Sequence, residues 1–292
     1  MLSPMLNINT SLRIAIGIAF AAAVIATVVI AQNRPQVPAS VRLYIFDCGT
    51  IHTPNVDSYS LKISEVRTTE MAIPCILVVH PKGALMWDNG DIPDSAFKPG
   101  GGPASAGVVT QAAPLLPQLK AAGYTPSDIK YLAMSHYHGD HVANANSFAG
   151  STWLVRKVER DRMFADPPIP RSDPANYNLL KNSKTVFIDQ DEYDVFGDGR
   201  VIIKSTPGHT PGHQSLFLKL AKTGPIVLSG DLYHYPEERT LNRLPVAEFN
   251  KDQTAASRAE LEAFLKKKRA QLWIQHDFMG DAKLKKAPAF YE

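Results

Sequence analysis

Four times after residue 128 a short apolar run ends close to a side chain that can hold a metal. Residues 131–134 lead to His136, 201–203 to His209, 225–228 to Asp231 and 272–274 to His276. Apolar runs of three or four residues, bounded by polar and turn residues, read as buried strands. Strands that all deliver N or O donors from their carboxyl ends would gather those donors on one edge of buried sheets. Earlier in the chain, 41–46, 59–63, 75–80 and 84–87 read as strands of an antiparallel sheet. The turn Pro81-Lys82-Gly83 is short enough to close a hairpin.

Helical spacing appears between and after these runs. Leu115, Leu116 and Leu119 make a stripe that predicts a helix over 110–122, with Gly123 as its stop. Thr125-Pro126-Ser127-Asp128 opens a further turn, with Thr as cap, Pro at the first position and an acid at the third. A short helix is expected over 142–148, a strand over 152–155 and a helix to about residue 164. Leu261, Phe264 and Leu265 mark the apolar face of a helix over about 253–270. The basic run from Lys266 to Arg269 complements the negative end of that helix dipole, so it needs no anionic partner to explain it. Residues 92–107 and 165–178, dense in proline or glycine, read as two long loops.

Residues 14–31 contain no charge and follow Arg13. The segment reads as an export signal cut after Ala31, or as a helix just long enough to cross a bilayer. Either way the body is exported, periplasmic or secreted, and meets a membrane only through 14–31 if that segment is kept. Residues 32–40 form a linker and 41–292 one domain, at the upper size for a single core. Losing 1–31 removes one of 31 basic residues and none of the 28 acidic ones, leaving a formal charge of +2. A nearly neutral body has no footprint for nucleic acid. Cys48 and Cys75 lie in strand-like segments. They are expected as buried free thiols, a bridge being the alternative, because unbridged cysteine is among the most buried residue types.

The densest chemistry is Ser135-His136-Tyr137-His138-Gly139-Asp140-His141. Three imidazoles and a carboxylate within six residues suit a metal, since neutral imidazole is the commonest ligand for zinc and carboxylate its usual oxygen partner. Gly139 lets the backbone turn tightly enough to aim alternate side chains inward.

Together with His209 in Thr-Pro-Gly-His, Asp231 in Ser-Gly-Asp and His276 after an apolar strand, this loop resembles the metallo-β-lactamase-fold hydrolases. Within them it is most similar to the dinuclear N-acyl homoserine lactone lactonases, and the resemblance covers nearly all of 41–292. It implies an α+β fold, a four-layered αββα sandwich with the metal site along one edge of two sheets. It also implies His136, His138 and His209 on one metal, Asp140, His141 and His276 on the other, and Asp231 bridging both. Seven N and O ligands without a thiolate suit two zinc ions, although iron, cobalt or manganese would also accept them. Two cations about 3.5 to 4 Å apart can hold a hydroxide at neutral pH, a nucleophile strong enough to open a lactone or ester. Asp140 is then the expected proton donor to the leaving alkoxide.

Asp88, at a strand end before a glycine-containing turn, is expected to support a ligand histidine from behind, and His213 to do the same or serve the fold. His52 and His80 have no partners in the sequence and are expected to be ordinary surface or core residues. Lactonases of this type commonly carry a tyrosine three residues after the bridging aspartate, where its hydroxyl polarises the substrate carbonyl. Here that position is His234, between Tyr233 and Tyr235, so either His234 takes that role, a neighbouring tyrosine such as Tyr233 does, or the substrate differs. Glyoxalase II-like thioester hydrolases keep the whole ligand set and are the main alternative. Class B β-lactamases lack the bridging aspartate and come third.

Overall fold

The computed structural model describes residues 37–99 and 102–292, so the expected export segment and most of the linker lie outside the described residues. No helix among the described residues is long and apolar enough to cross a membrane. The first sheet contains β1 (Arg42–His52), β2 (Glu70–His80), β3 (Gly83–Trp87), β4 (Ala104–Ala106), β5 (Val109–Gln111), β6 (Ile129–Ala133), β7 (Thr152–Val155) and β8 (Thr185–Phe187). Its strand order is β4-β5-β1-β2-β3-β6-β7-β8. The second sheet contains β9 (Glu192–Asp194), β10 (Val201–Ser205), β11 (Gln214–Leu220), β12 (Gly224–Leu228) and β13 (Gln271–Trp273), in the order β13-β12-β11-β10-β9. The helices are α1 (Leu115–Ala121), α2 (Gly139–Val142), α3 (Lys157–Met163), α4 (Pro236–Thr240), α5 (Lys251–Lys268) and α6 (Phe278–Asp281).

Strand alternation builds the layers. Along β1 and β2, Tyr44, Phe46, Cys75 and Leu77 face one core, while Leu43, Ile45, Ile76 and Val78 face another. Side chains of period two must divide this way when both faces are covered. The second core also takes Ile203, Leu216 and Leu228 from the small sheet, so it lies between the two sheets. The first holds Leu115, Leu119 and Met163 of α1 and α3 on the outer face of the large sheet. A third joins Phe217 and Val227 to Leu261, Phe264 and Leu265 of α5. Helix, sheet, sheet and helix is the expected αββα sandwich.

Three local expectations need correction. The stretch 59–63 is not a strand but lies between short 3-10 turns, Asp57–Tyr59 and Ile63–Glu65. Side chains compete there for the backbone: Asn55 accepts the Asp57 N–H and Glu65 accepts that of Lys62. The helix expected from residue 110 begins only at Leu115, because Thr110 and Gln111 pair in the large sheet and Pro114 disfavours helix before it. Cys48 and Cys75 are bridged, not free. The pairing of β1 with β2, with an irregularity between Asp47 and Thr50, brings their Cα atoms to 5.7 Å, within bridging reach. Both isolated histidines have partners: His80 Nε2 lies 2.9 Å from Asp198, and His52 meets Glu70 and Thr110. The basic end of α5 is a helix terminus, as expected, with Lys268 against Glu192 and over the rings of Phe217 and Phe264.

Candidate metal centre

β6 runs parallel to β3 and β7, and β12 parallel to β13, so several carboxyl ends open on one edge. After β6 come His136, His138 and then α2 with Asp140 and His141. His209 follows β10, Asp231 follows β12 and His276 follows β13. The fold thereby assembles two groups, His136, His138, His209 and Asp231, and Asp140, His141, Asp231 and His276. Within each group the donor atoms lie within 4.8 Å of one another. Asp231 belongs to both. Its Oδ2 is 3.5 Å from His136 Nε2 and 3.3 Å from His209 Nε2, whereas its Oδ1 is 3.1 Å from His141 Nε2 and 3.0 Å from His276 Nε2.

The donor set fits divalent cations. His138 Nδ1 lies 2.8 Å from His136 Nε2 and 3.0 Å from His209 Nε2, three imidazole nitrogens converging with almost no solvent. Burial, and then the neighbouring imidazoles, hold His136 and His138 well below the usual histidine range, so they present lone pairs. In the other group the balance reverses. Burial opposes charge on His276, but Asp231 and Asp140 raise it to about 10, and Asp140, Asp231 and Asp88 likewise raise His141. That positive charge is what a bound cation would supply in its place. Buried Asp231 Oδ1 and His141 Nε2 have no hydrogen-bond partner, although they approach to 3.1 Å. Unpaired buried polar atoms at this density are costly without an ion.

Behind the donors sits a set of orienting groups. Asp88, expected in this role, accepts the Ser135 N–H at 2.6 Å and lies 2.9 Å from His141 Nδ1, with Gln275 Nε2 donating to it at 2.8 Å. Its φ of +49° is rare for a residue with a side chain, and these bonds hold it there. His213 donates from Nδ1 to the Thr206 carbonyl and accepts the Asp231 N–H on Nε2, fixing the shared carboxylate from its backbone. Gly230 is required beside it: at φ +55°, a Cβ would lie 2.6 Å from His213 Nε2.

Two carboxylates without a sequence signal complete the frame. Glu248 accepts from His209 Nδ1 at 3.1 Å. Glu159, on α3, accepts from Tyr137 N, Thr210 Oγ1 and Gly212 N, tying the His136–His138 loop to the loop of His209. Burial pushes the Glu159 carboxyl up to about 7 against the pull of these bonds.

A cleft of about 420 Å³ opens onto His138, Asp140, Asp231, His234 and His276. Asp140 is the more accessible carboxylate, its side chain 13% exposed against 1% for Asp231. Ile51, Pro54, Met71, Val108 and Val109 give the cleft an apolar wall. His234 Nδ1 lies 3.2 Å from Glu238, and its Nε2 lies 3.2 Å from Asp231. Burial opposes its charge, but Glu238 and Asp231 raise it to about 9. Tyr233 points away: its hydroxyl donates to Glu262, its ring lies under Arg258, and it packs in the core beneath α5. Tyr59, which nothing in the sequence marked, lines the cleft instead. Burial, then Tyr235 and the carboxylates of Asp231 and Asp140, push its hydroxyl up and keep it protonated.

A sequence profile of the Metallo-beta-lactamase superfamily matches residues 68–271. The chain belongs to that superfamily. Among its relatives in the superfamily, N-acyl homoserine lactonase AttM of Rhizobium radiobacter is 30% identical over 262 residues, 86% of this chain and 98% of the relative. N-acyl homoserine lactonase AiiA of Bacillus thuringiensis subsp. kurstaki is 25% identical over 262 residues, 85% of this chain and 98% of AiiA. Two solved structures share the fold. An N-acyl homoserine lactone hydrolase with N-hexanoyl-L-homoserine at its catalytic metal centre superposes with a TM-score of 0.71 at 23% identity, covering 86% of this chain and 99% of that one. The dizinc quorum-quenching lactonase AidC gives 0.63 at 20% identity, over 89% and 96% of the two chains.

Proposed function

We propose that this protein hydrolyses the ring ester of N-acyl homoserine lactones with two divalent cations, zinc being well suited to the donor set. The observation that carries the proposal is Asp231, whose two oxygens face two separate donor groups at the floor of one cleft. Relatives named as lactonases that align over nearly their whole length support the substrate class. In this reading His136, His138 and His209 hold one cation, Asp140, His141 and His276 the other, and Asp231 both. Bound there, the cations supply a nucleophilic hydroxide at neutral pH and Lewis-acid polarisation of the carbonyl.

The chain's own groups do the rest. Asp140 projects its carboxylate into the cleft, with Oδ2 3.4 Å from His141 Nε2 and 3.3 Å from His276 Nε2. Burial favours the acid form of Asp140, yet the His141 imidazole and hydrogen bonds from His141 and His276 hold it ionised. An ionised carboxylate can take the remaining proton of that nucleophile as its oxygen bonds to the carbonyl carbon. It can return that proton to the alkoxide when the ring C–O bond breaks, leaving a free hydroxyl and a carboxylate. The apolar wall of Ile51, Met71 and Val109 suits an acyl chain. Export, expected from residues 14–31, belongs to the same proposal, and the Cys48–Cys75 bridge supports it, since disulfides persist in oxidising compartments.

Zinc-loaded protein offered an N-acyl homoserine lactone, an acyl thioester and a β-lactam side by side tests the substrate class. The lactone is expected to react fastest by kcat/KM, and a faster thioester would replace this reading with a thioesterase.

A further inference from the structure

The cleft lacks the hydroxyl that the sequence position three residues after Asp231 would have supplied. His234 occupies that position with Nδ1 bonded to Glu238 and Nε2 3.2 Å from Asp231, and an imidazole carries no hydroxyl. The flanking tyrosines are spent. Tyr233 donates to Glu262 on the far side of the small sheet, and Tyr235 donates to the Thr69 carbonyl at 2.9 Å.

Tyr59 differs from both. It lines the cleft with Asp140, Asp231 and His234, its ring centroid lies 4.7 Å from that of His234 and 5.1 Å from that of Tyr235, and its hydroxyl has no partner among the described residues. The ring is fixed by more than these contacts. Its own N–H donates to the Val56 carbonyl at 2.9 Å, and the turn is tied to the segment after α4 by Val246 N to Ser58 O and by Ser60 Oγ to Leu244 O, each 2.7 Å. A free donor on a turn held from both sides is preorganised in the way that oxyanion stabilisation requires.

We propose that Tyr59 is a catalytic residue, donating a hydrogen bond from its hydroxyl to the carbonyl oxygen of the substrate as the tetrahedral centre forms. Tyr59 thus supplies from the amino-terminal half of the domain the group that position 234 does not. His234 becomes a positioning residue, its ring carrying that of Tyr59 while it spans Glu238 and Asp231. The hydroxyl keeps its proton throughout, because the nucleophile's proton goes to Asp140 and then to the alkoxide.

This inference rests on the hydrolase reading of the cleft, and the test separates the two. Tyr59→Phe keeps the ring and the turn and removes only the donor. Whichever carbonyl substrate the wild-type protein turns over, kcat is expected to fall roughly tenfold to a thousandfold with KM little changed. Melting temperature and metal content should match wild type. Wild-type kinetics in Tyr59→Phe would overturn the role, as would a rise in KM at unchanged kcat. A defect in Tyr59→Leu that Tyr59→Phe does not share would also overturn it, by assigning the residue to packing alone. A wild-type protein that opens thioesters and not lactones would sink the lactonase reading while leaving Tyr59 to be judged on the thioester carbonyl.

Discussion

The two donor groups that share Asp231 differ in surroundings more than in composition. The group of His136, His138 and His209 is almost sealed, and its imidazoles face one another. Within the group only the shared carboxylate is negative, Glu248 backing His209 from outside, and burial drives His136 and His138 toward neutrality. The group of Asp140, His141 and His276 adds its own carboxylate, is backed by Asp88, and opens on the cleft through Asp140. In the proposed reading the first grips a cation by lone pairs, and the second balances charge and moves a proton where the cleft opens. One carboxylate serves both because β12 ends between the strands that carry the other donors.

Changes at the shared carboxylate should break this comparison most completely. Asp231→Asn replaces two anionic oxygens by an amide that bridges poorly, so the protein should lose at least one cation per chain by elemental analysis. Unchanged metal content would remove Asp231 from the shared position. Asp140→Asn should act on the open group alone, cutting turnover by roughly a hundredfold or more. Retention of the sealed group's cation in that variant would sharpen the contrast, and full activity would end the proton-carrying role.

Smaller effects should separate the supporting residues. Asp88→Asn touches the open group through His141, and Glu248→Gln the sealed one through His209. Each should weaken cation affinity by roughly tenfold to a hundredfold. In a titration with a chromophoric chelator, the two variants should weaken different release steps. Equal weakening of both steps by either variant would mean that the groups do not act separately. The Cys48–Cys75 bridge lies in the core beneath the large sheet, outside both groups. The double change Cys48→Ser with Cys75→Ser should therefore cost about 3 kcal/mol of stability in urea unfolding while metal content stays near that of wild type.

Much of the site could be read from the sequence because it is local. His136 to His141 form one loop, and each remaining donor follows its own apolar run, so strand ends and donors announced each other. The layered fold followed from the resemblance that those donors carry, while the apolar runs marked individual strands and the leucine stripe marked α1. What could not be read depends on distant partners. Glu159 bonds residues 22 and 53 positions away, and Glu248 orients a histidine 39 positions back, with no motif around either. Tyr59 was hidden by the stretch 59–63, whose apolar and aromatic residues suggested a strand where Asn55 and Glu65 bend the backbone into turns. The disulfide depended on the register of β1 against β2, which hydrophobic alternation alone does not set for a single pair of side chains.

The central claim is that Asp231 and the six side chains around it hold two cations. Elemental analysis of protein purified without chelator tests it most directly. The expected result is about two divalent ions per chain, and one or none in catalytically active protein would contradict it.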